Sequence, residues 1–170
     1  INAMEFAELV SLVKDQPVFE TGFLLSGNVN PDYLRKQISL WVNSGKIIQL
    51  RRGLYTLAPP FQKESPHPFL IANRLQQASY VSYQSALAYY GLIPEYVPVT
   101  LSCTTRRPGE WSNALGTFRF HNVRREWFGF YDYVQLSEHQ SAYVASPEKA
   151  LLDLVWLEPG GDMEAYLLEL

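Results

Sequence analysis

The sequence predicts an α+β protein in two domains, and three observations lead there. Some segments repeat apolar residues at helical spacing and others alternate them at strand spacing, without the regular strand–helix–strand order of a Rossmann sheet. A capped helix runs straight into a short β-hairpin within residues 30–57. The segment APPFQKESPHP (58–68) then places four prolines in eleven residues. That composition reads as a semi-rigid linker at 59–65, between domains at 4–58 and 66–170.

In the first domain, residues 4–14 set Phe6, Leu9, Val10 and Val13 at i, i+3, i+4 and i+7, one face of a helix. A weaker helical turn is expected over 20–26, ended by Gly27. Asn30 caps a third helix, with Pro31 at its first position and Asp32 in its first turn. Leu34, Ile38, Trp41 and Val42 form its buried stripe, and Gly45 closes it. Strands at 47–50 and 54–57 follow without a linker, joined by Arg51-Arg52-Gly53. This order outlines a winged helix-turn-helix, which sets one helix in the DNA major groove and a hairpin beside the backbone.

In the second domain the spacing predicts helices at 69–77 and 84–90, the latter ended by Gly91. Strands are predicted at 97–103, 117–123, 127–136 and 142–145. Phe118 and Phe120 alternate with Arg119 and His121, as in a sheet with one buried face. Ser146-Pro147-Glu148 opens a last helix, whose apolar face holds Ala150, Leu151, Leu154 and Val155. The sequence ends in a helix-forming run, MEAYLLEL, as a piece of a longer protein would.

Composition narrows the function classes. At 47 % apolar and 18 % charged residues the chain is a folding one, not a disordered one. No apolar run approaches the roughly 18 residues of a membrane span, so no membrane partner is expected. One cysteine, Cys103, fits a small buried side chain and a reducing cytoplasm. His67, His121 and His139 lack ligand spacing, so neither metal nor cofactor is expected.

The net charge of −3 is unevenly spread. Residues 1–60 carry six basic and five acidic groups, residues 61–125 seven and three, and residues 126–170 one and nine. A polyanion would be drawn to the first two stretches and repelled by the third, whose plainer reading is a solvated helical face.

Between residues 30 and 57, five cations face one acid, Asp32. Stepping 100° per residue puts Lys36, Ser39 and Asn43 opposite the buried stripe, with Tyr33, Arg35 and Leu40 on the flanks. Tyr33, Arg35, Lys36, Ser39, Asn43, Lys46, Arg51 and Arg52 are therefore the candidate DNA-binding residues. Arg35 or Lys36 suits guanine, Asn43 is of the adenine-reading type, and Arg51 and Arg52 suit phosphate or the minor groove. The plainer alternative is an ordinary surface helix and hairpin with solvated cations. Arg106, Arg107, Arg119, Arg124 and Arg125 are further candidates for DNA or another polyanion such as RNA. The aromatic run Trp127, Phe128, Phe130, Tyr131 and Tyr133 is expected to form core plus one exposed face rather than a base-stacking platform.

No catalytic residue is expected. Glu148, Lys149 and Asp153 invite a nuclease reading, but Glu148 and Asp153 are five apart on a helix, roughly 140° from each other, and do not converge on one metal. Ser82 and Ser85 read as polar groups at a helix start.

Several segments, taken in order, carry a resemblance. These are Gly45-Lys46 with Arg51-Arg52-Gly53-Leu54-Tyr55, then Val81-Ser82-Tyr83-Gln84-Ser85-Ala86-Leu87 with Gly91-Leu92, then Thr104-Thr105-Arg106-Arg107. The most specific is Ala145-Ser146-Pro147-Glu148-Lys149-Ala150-Leu151-Leu152-Asp153. Over nearly the whole chain the sequence resembles the AbiEi antitoxin family, transcriptional regulators of type IV toxin–antitoxin systems in abortive infection, a phage defence. Such proteins often carry His where this chain has Tyr83. The resemblance implies a cytoplasmic, non-enzymatic repressor that binds promoter inverted repeats as double-stranded DNA through the winged helix, with an antitoxin-like second domain. Inverted repeats imply two copies on DNA, a homodimer or not when free. The resemblance further implies a nucleotidyltransferase-like toxin in the same operon, opposed functionally with or without direct contact. The alternative is a nuclease-like enzyme that uses the winged helix as a targeting arm.

Overall fold

A computed structural model describes residues 4–27, 29–94, 96–157 and 159–169. Among them the chain is mixed α/β, with seven α-helices and two sheets. It divides into two units, Ile1–His67 and Pro68–Leu170.

The first unit runs α1 (Phe6–Val13), β1 (Phe19–Glu20), α2 (Thr21–Leu24), α3 (Pro31–Asn43), β2 (Ile47–Arg51) and β3 (Leu54–Leu57). The start of α3 is set by the Asn30 side chain, whose Oδ1 accepts the N–H groups of Asp32 at 2.9 Å and Tyr33 at 3.3 Å. Two of the donors that a helix start leaves orphaned are thereby satisfied. The end is set by Gly45, at φ 70. This left-handed turn lets Lys46 N–H reach the Trp41 carbonyl at 2.9 Å, the closure glycine favours.

Leu34, Ile38 and Trp41 then point inward and join Leu9 and Val13 of α1, Leu24 of α2 and Phe19, Ile47 and Tyr55 of the sheet in one core. The sheet order is β1-β3-β2, antiparallel throughout. A bulge between Gln49 and Arg51 bends the hairpin near its tip. Strand β1 lies outside the sequence expectation. Two residues have no period to read, and only their pairing with Tyr55 and Leu54 makes them a strand. The helical turn expected over 20–26 shrinks accordingly to Thr21–Leu24.

The second unit runs α4 (Pro68–Leu75), β4 (Ser79–Val81), α5 (Tyr83–Tyr89), β5 (Val99–Thr104), β6 (Gly109–Asn113), β7 (Gly116–Asn122), a 3-10 turn at Arg125–Trp127, β8 (Tyr131–Gln135), β9 (Ser141–Ala145), α6 (Pro147–Leu157) and α7 (Glu164–Glu169). Its six-stranded sheet has the order β6-β7-β5-β4-β9-β8. The β5–β7 and β4–β9 pairs are parallel and the rest antiparallel. Phe118 and Phe120 are buried, while Arg119 between them faces out and pairs with Glu110 of β6 at 2.8 Å.

Three expectations are corrected here. Strands β4 and β6 were not anticipated: β4 is buried along its whole length and shows no alternation, and β6 is polar. The strand expected over 127–136 begins only at Tyr131, because the 3-10 turn and a left-handed Phe130 (φ 56) precede it. The aromatic run joins the core only in part: Phe128 and Tyr131 are half-buried against Tyr80, and Trp127, Phe130 and Tyr133 are exposed.

No helix among the described residues is long and apolar enough to cross a membrane. Asn30→Ala removes the cap of α3 and is expected to lower stability by about 1 kcal/mol in denaturant unfolding, with the fold retained.

Candidate nucleic-acid interface

With Leu34, Ile38 and Trp41 turned inward, the opposite face of α3 is left to solvent, and Tyr33, Arg35, Lys36, Ser39, Leu40 and Asn43 all stand on it exposed. Arg35, Ser39 and Asn43 recur every fourth residue and so line up along the helix. They form one wall of a cleft of about 210 Å³, closed on its other side by Gln49 and Tyr55 of the hairpin sheet. Tyr33, Lys36 and Leu40 occupy the other flank of the helix. Gln49 was missed in the sequence, although it is the exposed polar residue between Ile48 and Leu50.

Arg35 reaches back one turn to Asp32 at 3.0 Å, with both side chains mostly in solvent. Arg51 donates to the Arg52 carbonyl at 3.0 Å and lies 4.0 Å from Glu20, while Arg52 is exposed at the hairpin tip. Lys46 is placed differently. Its ammonium sits 4.8 Å from the centre of the Phe6 ring on α1, in a cation–π contact, rather than along the cleft.

In the second unit, β5 and β7 run parallel and end level with each other at Thr104 and Asn122. The segments carrying Arg106, Arg107, Arg124 and Arg125 therefore leave the sheet at the same end, and all four side chains are exposed. Arg119 lies along β7 and is engaged by Glu110.

The main cluster that the sequence reading did not assemble lies inside the second unit. Asp153 of α6 is buried, and its carboxylate accepts from four side chains. Lys149 Nζ bonds Oδ1 at 2.5 Å, and the Ser82 hydroxyl (2.7 Å), the Tyr80 phenol (3.1 Å) and the Cys103 thiol (3.4 Å) all donate to Oδ2. The available signal was a Lys–Asp pair four apart beside the apolar stripe of Ala150 and Leu154. The serine expectations change with it. Ser82 holds the N-cap position of α5 without capping it. The Ser85 hydroxyl takes Leu101 N–H at 2.9 Å and ties α5 to β5.

These bonds fasten α6 to β4 and β5. Burial, and then the Asp153 charge, push the Cys103 thiol up to about 12, and burial likewise raises the Tyr80 phenol, helped by Cys103 and Asp153. A thiol kept protonated is a poor nucleophile. Glu148 stands exposed at the start of α6 while Asp153 is enclosed, so the two carboxylates do not meet. No group of three His, Cys, Asp or Glu able to hold a metal occurs among the described residues.

Asp153→Ala leaves a buried ammonium without its partner and is expected to cost about 3–5 kcal/mol in chemical unfolding. Because the folded-state thiol pKa lies above the ordinary 9.0, Cys103 adds stability that is complete below about pH 9 and is lost as pH rises toward about 12. Cys103→Ala is expected to flatten that alkaline decline in pH-dependent unfolding. No protein-family model matches the chain, and no curated protein matches it.

Proposed function

We propose that the chain is a DNA-binding transcriptional regulator of the AbiEi antitoxin kind, with residues 4–58 acting as a winged helix-turn-helix. The observation that carries the proposal is the surface of α3 and the hairpin. A helix capped by Asn30 turns Arg35, Ser39 and Asn43 toward a cleft bordered by Gln49, and Arg52 stands at the tip of the adjoining hairpin. Guanidinium and amide side chains at helical spacing are the chemistry that reads base edges, and a cationic hairpin tip is the chemistry that holds phosphate. The antitoxin assignment rests on the sequence resemblance. It implies a promoter with inverted repeats occupied by two copies, and a toxin whose effect the protein opposes.

Footprinting on the DNA upstream of the protein's own reading frame tests the regulator reading, with a protected inverted repeat as the expected result. On that site, Arg51→Ala combined with Arg52→Ala is expected to weaken binding alike on all sequences. The log–log salt slope should become shallower by about 2, one phosphate for each arginine. An unchanged slope removes the hairpin from the interface. Arg35→Ala or Lys36→Ala is expected to relax sequence preference at single positions, at about 1–3 kcal/mol for each base left unread.

Incubation with Mg²⁺ and duplex or single-stranded substrate separates this reading from the nuclease alternative. The expected result is no turnover, and cleavage abolished by Glu148→Ala would overturn the regulator reading.

A further inference from the structure

The second unit contains a cavity of about 300 Å³ whose walls are Glu126, Trp127, Phe130, Leu152 and Trp156 and whose buried lining is the Lys149–Asp153 pair. That volume is at the lower end of small-molecule sites. The indoles of Trp127 and Trp156 meet edge to face at 4.9 Å between centroids. Trp156 is nonetheless 64 % exposed and Phe130 82 % exposed. Large apolar rings kept in water beside a cavity are more informative than scattered surface hydrophobics.

Phe130 also carries backbone strain. It adopts φ 56, a conformation unfavourable for a bulky residue, while its neighbour Gly129, which would adopt it freely, does not. Strain of this kind persists where the surroundings enforce it, here including the Ser146 N–H bound to the Phe130 carbonyl at 2.9 Å. It is also a mark of ligand sites.

The polar lining selects the ligand. An ammonium has three N–H donors. Among the described residues, Asp153 is the one hydrogen-bond acceptor that Lys149 Nζ meets, and this Nζ is 5.8 Å from the Tyr80 ring centre. Donors therefore remain on Lys149 for an acceptor inside the cavity. An organic cation is disfavoured, because it would face this ammonium while the Asp153 carboxylate is already taken by four donors and Glu126, the other acid of the lining, lies 3.9 Å from Arg124. A phosphate finds little to hold it inside the cavity, where Lys149 is already paired with Asp153 and Glu126 is the remaining charged group of the lining.

We propose that this cavity binds a neutral, planar heteroaromatic ring bearing a carbonyl acceptor, of nucleobase size. The ring stacks on Trp156 and Phe130, and its carbonyl accepts from Lys149 Nζ. The base comes either from a free nucleoside or from an unpaired position of a strand. The site is independent of the winged-helix reading.

Inosine and purine riboside differ in the ring carbonyl, so titrating each into the full-length chain tests the lysine contact without altering the fold. Followed by calorimetry and tryptophan emission, inosine is expected to bind saturably with a Kd on the order of 0.1 mM, and purine riboside about tenfold more weakly. Trp156→Ala and Phe130→Gly are each expected to weaken inosine about tenfold. Phe130→Gly should leave the thermal midpoint unlowered, because glycine relieves the strained φ. A single-stranded oligonucleotide that binds more tightly than inosine and is weakened by Trp156→Ala assigns the base to a strand, and weaker binding assigns it to a free nucleoside. Equal affinity for inosine and purine riboside, unaltered binding by both variants, or saturable binding of tetramethylammonium in place of inosine overturns the proposal.

Discussion

Asp153 carries a carboxylate at 2 % exposure, and a charge so placed has to be satisfied almost completely or it destabilises the fold by several kcal/mol. Much of the second unit can be read as the means of satisfying it. Four donors arrive from three elements: Lys149 from the preceding turn of α6, Tyr80 and Ser82 from β4 and its end, and Cys103 from β5. Strands β5 and β4 are the middle of the sheet, so the carboxylate fixes α6 over its centre. Ser82 stands at the N-cap position of α5 yet reaches Asp153 instead of capping, which shows which demand dominates at that position. Once α6 is fixed in rotation, Leu152 and Trp156 have no inward direction left, and their exposure follows from the anchoring of Lys149 and Asp153.

The first unit solves a similar problem of rotation with apolar means. Leu34, Ile38 and Trp41 lock α3 against α1 and the sheet, and Asn30 fixes where its first turn starts. Together these determine which side chains stand outward. They explain why Arg35, Ser39 and Asn43 share a wall with Gln49 while Leu40, on the other flank, is exposed.

The parts of this architecture that were legible in the sequence are those encoded locally. The Asn30 cap, the Leu34 stripe, Gly45 and the arginine-tipped turn each state their conformation within a few residues. So do the Phe118 and Phe120 alternation and the Ser146-Pro147 helix start, where Lys149 N–H does reach the Ser146 hydroxyl at 3.2 Å. What was not legible depends on partners far along the chain. Strand β1 exists because of Tyr55 and Leu54, and β4 because β5 and β9 cover both its edges. The Asp153 cluster joins residues about seventy apart, and no periodicity announces a serine that prefers a distant carboxylate to its own helix. The aromatic run misled for a related reason. Its composition suits a buried strand, but the turn at Arg125–Trp127 and the left-handed Phe130 break the register before a strand can bury it.

A net charge of −3 does not by itself favour a polyanion partner, and the proposed interface turns on range. At physiological salt, charges more than about 8 Å apart are largely screened, so the groups next to a phosphate outweigh the sum over the molecule. Between residues 30 and 57 that local balance is five cations to one acid. The ion pair at Arg35 is correspondingly a weak one. The exposed Arg35–Asp32 pair belongs to a class worth about 0–1 kcal/mol, and Arg51 lies 4.0 Å from Glu20. Exchanging such partners for phosphate or guanine costs little and frees the guanidinium for a bidentate contact. Lys149 shows the opposite design. Its ammonium is committed to a buried carboxylate and cannot leave its partner without leaving that charge uncompensated, whereas Arg35 can part from Asp32 in water.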